Sequence, residues 1–377
     1  MGFWEHASLV KRIVGIVLAV LLIGGVAAAV VAGREDDQGS GTGSGSGTAT
    51  KTVRGVIGSE KSEFFADPDV VKALADKGFA VKTETSGSWA MEEMPLTGYD
   101  FAFPASEAPG KELATKHGVQ GGVLRPFYSP LVVVAHRPVA EVLARNGLAA
   151  LTGKPGAEAR GTLRMGPFLD AVRADRTWQQ LKGASAHAEL SGTVFISSTD
   201  PETSNSGALY LAAASFVANG GLVSDAGGVD RTAPLLRKLI APQGAQKTSS
   251  DAPFRDFISG AGNPLVLVYE SQVASMLLQK QDVGDLVVLY PDTTVNSDHT
   301  LVPLTDDGRA LGGLLTTDKR LRELAVRHGF RPQGVPAEFT AATAGHTAYL
   351  DQTLTSVHQA PVPTTEWLHA MARRSRS

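Results

Sequence analysis

The sequence predicts an α/β fold with a largely parallel sheet, on three observations. First, a strand, a polar loop and a helix recur three times within about 60 residues. Second, residues 131–135 (LVVVA) and 265–268 (LVLV) are apolar throughout, as strands buried on both faces are. Third, the chain is 43% hydrophobic and 19% charged over 377 residues, a globular balance with room for two cores.

The elements follow in order. Residues 53–57 (VRGVI) read as a strand ending at Gly58-Ser59-Glu60-Lys61-Ser62, followed by a helix through Val70, Val71 and Leu74. Residues 79–85 alternate as a second strand and end at Ser86-Gly87-Ser88-Trp89. Residues 100–103 form a third, ending at Pro104-Ala105-Ser106. Ligands in such sheets bind beyond the carboxyl ends of the strands, where Ser59, Ser88 and Ser106 all fall. Residues 140–150 and 178–181 read as helical. Residues 286–290 read as a strand, 311–328 as a helix-rich stretch, and 366–373 as a last amphipathic helix.

Ahead of this head lies an uninterrupted apolar run, residues 13–32, long enough to span a bilayer. Lys11 and Arg12 precede it and Glu35, Asp36 and Asp37 follow, which orients the N-terminus inward and the head outward. The segment reads as an uncleaved anchor; Ala27-Ala28-Ala29 and Val30-Val31-Ala32 also suit a signal peptidase, so cleavage stays open. Residues 38–50 (QGSGTGSGSGTAT) are a flexible tether with a reach of about 20 Å.

Several chemistries are excluded. A net charge of −3 without a basic face argues against nucleic acid. The absence of cysteine removes disulfides, thiolate metal sites and cysteine nucleophiles. The nine histidines show no metal-binding spacing. Thr152-Gly153-Lys154-Pro155 fails as a phosphate loop because Pro155 stands where a hydroxyl residue is needed. No cofactor is expected, and no catalytic or metal residue is assigned.

Residues 194–214 (VFISSTDPETSNSGALYLAAA) carry the most functional information. An apolar run breaks into a polar turn, and a helix begins near Ser206. Ser204, Asn205 and Ser206 stand at its start, where free backbone N–H groups and the helix dipole favour an anionic or acceptor-rich ligand. The same residues suit an ordinary capped join.

The order of these segments resembles the type II periplasmic substrate-binding proteins, nearest the branch that binds molybdate, sulfate and similar oxyanions. The matching features are Gly58-Ser59-Glu60-Lys61 after the first strand, Ser86-Gly87-Ser88, Asp100 through Ser106, Asp200-Pro201 through Gly207, Val268-Tyr269, and Ala325 with Gly329-Phe330. The resemblance covers residues 53–332. It implies two α/β lobes joined by crossing hinge strands, with ligand in the cleft between them. The implied boundaries are 1–12 cytoplasmic, 13–33 transmembrane anchor, 34–52 linker, 53–136 with 296–377 lobe I, and 137–295 lobe II. Two departures leave the ligand's charge open. Glu60 and Lys61 stand where the branch has small hydroxyl residues, and the bulky Trp89 follows the second loop.

On that resemblance Ser59, Ser88 and Ser106 face Ser204, Asn205 and Ser206 across the cleft. Tyr269 sits where the family contacts its ligand. Lys61 is placed to meet an anion, Trp89 to stack, and Glu270 to orient a donor or meet a cation. Each also has an ordinary structural reading: cap or turn for the serines, packing for Trp89 and Tyr269, solvated charge for Lys61 and Glu270. The expected function is capture of a small polar or anionic solute by a membrane-anchored extracytoplasmic head, for an ABC-type permease. A ligand sensor or protein-interaction module on the same fold is the alternative, and an enzyme comes third.

Overall fold

The computed structural model describes residues 50–154 and 156–376. The anchor expected over 13–33, the N-terminal stretch before it and nearly all of the linker lie outside the described residues. Among the described residues, no helix is long and apolar enough to cross a membrane.

Three parallel strands open the head. They are β1 (Lys51–Ile57), β2 (Phe79–Thr85) and β3 (Phe101–Phe103), with β1 in the middle. Gly55 pairs with Thr83 on one side and Phe101 on the other. The helix between β1 and β2, Pro68–Ala75, starts where its sequence says it should. Pro68 fills the first turn, and the Asp67 carboxylate accepts from the Asp69 N–H at 2.8 Å.

The next strand, β4 (Leu124–His136), runs through the middle of the molecule. After it come β5 (Ala149–Thr152), β6 (Arg160–Leu163), β7 (Leu265–Tyr269), β8 (Leu286–Pro291), the short β9 (Thr293–Thr294), β10 (Asn296–Pro303) and β11 (Arg331–Pro332). The first part of β4 lies antiparallel between β10 and β11: Tyr128 pairs with both Asp298 and Arg331. Its second part lies antiparallel between β7 and β8, with Val133 opposite both Leu267 and Leu289. Partners on both edges and both faces explain the unbroken run Leu131–Ala135: Val132, Val133 and Val134 are wholly buried. The sheet is therefore mixed, not largely parallel. Its parallel pairs, β1 with β2 and β3, and β6 with β8, lie on either side of the long antiparallel strands β4 and β10, and β5 closes one edge antiparallel to β6.

Two large cores flank this junction. Under β1–β3 the packing is aromatic: Phe64, Phe65, Phe101, Phe103, Phe127 and Phe330 interlock, with Phe127 and Phe330 stacked at 4.3 Å between centroids. Under β4–β8 a core of Leu, Val and Ala surrounds helix Asn205–Asn219. That helix is buried on nearly all sides, as its Ala-rich sequence permits. The C-terminal helix, Thr365–Arg374, buries Leu368 and Met371 in this second core, packed on helices Asn205–Asn219 and Ala226–Ile240. The end of the chain thus lies with the elements expected for lobe II.

Some expected elements differ. The helix read over 140–150 is Arg137–Arg145; Gly147, at φ 73°, turns the chain into β5. Residues 178–181 hold a single 3₁₀ turn, Trp178–Gln180. Residues 194–196 form no strand. Their neighbour Ser197 makes one parallel bridge, donating to Leu265 O and accepting from Leu267 N, before the chain turns away.

Candidate functional site

The loops that end β2 and β3 meet the start of helix Asn205–Asn219 directly. The backbone N–H groups of Trp89 and Ala90 both donate to the Thr203 carbonyl, at 3.2 and 3.3 Å. Gly87 makes this approach achievable, because a Cβ there would overlap the Thr203 carbonyl oxygen. The Ser106 hydroxyl bonds to Asn205 Oδ1. Asn205 Nδ2 then donates to the Tyr269 hydroxyl at 3.0 Å and to Ser297 Oγ at 3.2 Å. Ser297 in turn donates to the Ala105 carbonyl, and Ser88 Oγ accepts from the Ala105 N–H at 2.9 Å. Residues far apart in sequence thus form one buried polar network.

The helix start is capped differently from its sequence signature. Ser204 makes no side-chain cap. Thr199 Oγ1 instead accepts from the Gly207 N–H at 2.9 Å and pairs with Ser206 Oγ at 2.7 Å. Gly207 lets the turn fold this tightly, since a Cβ would overlap the Thr199 carbonyl. One of the N–H groups expected to face a ligand is therefore already satisfied by the protein.

Charge enters from the first loop. Lys61 is completely buried and ion-pairs with Glu60; its ammonium stands 3.2 Å from His299 Nδ1 and 4.8 Å from the centre of the Phe103 ring. Burial opposes the charge on Glu60, but Lys61 and His299 overcome it and hold the carboxyl down at about 2. Burial lowers the Lys61 ammonium, with Glu60 opposing. Burial, then the Lys61 charge, push the His299 imidazole down to about 4, so it is neutral at pH 7. Burial and the Glu60 charge also raise the Tyr269 phenol, which stays protonated. The site is a neutral set of hydroxyls, an amide and an imidazole around one internal ion pair. It offers hydrogen bonds of both senses to a polar solute.

Glu60 and Ser59 also border a cavity of about 370 Å³. It continues between helices Asp251–Ile258 and Glu270–Leu278, past Asp251, Phe254, Ser271 and Gln272. At its edge Ser249 Oγ donates to Ser59 Oγ at 3.0 Å. Burial first, and then Glu60, raise the Asp251 carboxyl to about 6.

The structure thus gathers Lys61, Ser88, Ser106, Asn205, Ser206 and Tyr269 at the junction, with Ser59 at the cavity edge and Ser204 one step before the helix. The side chains of Trp89 and Glu270 have other partners. Trp89 is 4% exposed and packs edge-on against His369 at 4.7 Å, a partner the C-terminal helix brings in. Glu270 is fully buried and bound by Arg331 through Nε at 2.6 Å and Nη2 at 2.8 Å, with the Tyr290 hydroxyl as a further donor. Its carboxylate is committed to holding β11 and β8. Thr199, Ser297 and His299 were missed as candidates. The alternation of Ser297, His299 and Leu301 on one face of β10 was the available signal.

No family model and no curated relative matches the sequence. Solved structures do match. The sulfate-binding protein SubI from Mycobacterium tuberculosis is 14% identical, with a TM-score of 0.52 over 84% of this chain and 95% of that one. Iron-bound HitA from Pseudomonas aeruginosa is 12% identical, at 0.54 over 86% and 96%. An ABC transporter solute-binding protein from Thermotoga lettingae, bound with α-D-tagatose, is 12% identical, at 0.53 over 86% and 93%. The fold is that of the type II periplasmic solute-binding proteins. All three matches hold or are named for a small solute, and the solutes are chemically unlike. The likeness therefore carries the architecture and leaves the ligand to this chain's own residues.

Proposed function

We propose that this chain is an extracytoplasmic solute-binding protein, held at the membrane by residues 13–33, that closes on a small polar solute and presents it to an ABC-type permease. One observation carries the reading: Ser106, from the loop after β3, bonds to Asn205 at the start of the helix on the other side. Polar loops from both halves of the fold converge there, and a cavity opens beside them. The proposed lobes are 53–136 with most of 296–377, and 137–295, hinged on β4 and β10. A solute touching both lobes stabilises the closed arrangement in proportion to its preference for it.

Melting curves of the full chain against inorganic anions, organic cations, amino acids and sugars test this. At least one class raises the melting temperature in a concentration-dependent way. No shift with any class contradicts the proposal.

A further inference from the structure

The cavity bordering Glu60 has a chemical character of its own. Its titratable lining is Glu60, Glu63, Asp251, Arg255 and His328. Lys61 pairs with Glu60 from behind, and His328 is bound to Asp67 at 2.7 Å. Glu63, Asp251 and the single guanidinium of Arg255 remain, which leaves the chamber short of positive charge. Among the described residues, the Asp251 carboxylate takes one side-chain hydrogen bond, a long one of 3.4 Å from Gln272 Nε2. Ser271, 2% exposed, lines the same chamber, and its hydroxyl has no hydrogen-bond partner among the described residues. A buried hydroxyl left unpaired is costly and marks a place where a ligand atom completes the set. The remaining wall is apolar, with Phe254, Ile258 and Met276.

We infer that this cavity takes a small organic cation, an ammonium group on a compact apolar body. The ammonium lies at Asp251, with Glu63 adding its charge from the rim, and the apolar body lies against Phe254 and Met276. An aromatic face beside carboxylates suits an alkylammonium, because the ring quadrupole and the fixed charges act in the same sense. The volume is at the low end of small-molecule sites, which fits an amine and excludes a large conjugate. The inference rests on the solute-binding reading and narrows its substrate class.

Titration calorimetry on the purified full chain at pH 7.5 tests it, with choline, tetramethylammonium, isobutylamine, sulfate and 3,3-dimethylbutan-1-ol, the uncharged isostere of choline. At least one cation binds, and where choline binds the isostere is at least tenfold weaker. Asp251→Asn and Glu63→Gln each weaken the cation severalfold. Glu63 is exposed at the rim, so its variant folds even if the Asp251 one does not. Binding also weakens from pH 7.5 to 5, as Asp251 takes up its proton near 6. Cation binding that ignores both variants overturns the location, and equal affinity for choline and its isostere overturns the class. Sulfate binding without any cation overturns the class and leaves solute binding standing. No binding of any probe overturns the inference, and only a flat melting panel as well removes the function.

Discussion

Asn205 and Tyr269 are joined by a 3.0 Å hydrogen bond from amide nitrogen to phenol oxygen, while the same amide's oxygen takes the Ser106 hydroxyl. One side chain at a helix start thereby links the loop after β3 to the end of β7. Tyr269 is 1% exposed and Asn205 is 2% exposed, so both are removed from bulk water.

Removing parts of that link has graded effects. Tyr269→Phe leaves Asn205 with Ser297 as its remaining acceptor and costs about 1–2 kcal/mol. Asn205→Ala strands the Ser106 hydroxyl, takes the amide donor from both Tyr269 and Ser297, and costs more, about 2–4 kcal/mol. Urea unfolding of the two variants checks the order.

Gly87→Ala separates closure from folding. The added methyl meets the Thr203 carbonyl across the junction, and Gly87 lies outside the helices and strands. Overpacking of this kind costs about 1–3 kcal/mol. Here the loss falls on the contact between the halves, so solute-induced stabilisation disappears while circular dichroism stays unchanged.

Three groups around the site shape the acid limb of stability. Glu60 has its carboxyl lowered to about 2 from 4.5, so its contribution is complete above pH 4.5 and is lost as pH falls toward 2. His299, lowered to about 4 from 6.5, resists protonation when folded, so the unfolded chain gains protons first and stability falls from pH 6.5 to 4. Asp251 acts in the opposite sense. Raised to about 6 from 3.8, it costs stability as pH rises through that interval. Asp251→Asn therefore raises stability at pH 7 and steepens the loss between pH 6 and 4, which melting against pH measures.

Glu270→Gln destabilises the fold without redefining the ligand. It breaks a buried pair with Arg331, for which the expected loss is about 3–5 kcal/mol. Replacing both partners with apolar residues recovers much of it, which a double-mutant cycle reads.

The architecture was legible where burial leaves a pattern: the apolar stretches of β4 and β7 stand out because neighbours cover both faces. β2 keeps its expected bounds, although Phe79 alone in it is buried. Residues 194–196 show the limit: an equally apolar run stays irregular because only Ser197 finds a strand to pair with. The site was legible on the side of local signals, the serines after strands and the polar helix start. Ser297 lies 92 residues from Asn205, and His299 lies 238 from Lys61. Nothing local marks such partners. The surroundings of Glu270 and Trp89 were hidden for the same reason, since Arg331 and His369, which bind and cover them, arrive from distant segments.

The central claim is that the head closes around a solute. The chain has no cysteine, so two introduced cysteines label it cleanly. Lys72 and Asp170 are each 73% exposed and stand on the two proposed lobes. Pulsed electron spin resonance between labels at these positions measures their separation directly. Closure shortens and narrows the distribution when a stabilising solute is added, and its loss in Gly87→Ala leaves the distribution long and broad. A distribution that no solute moves would contradict it.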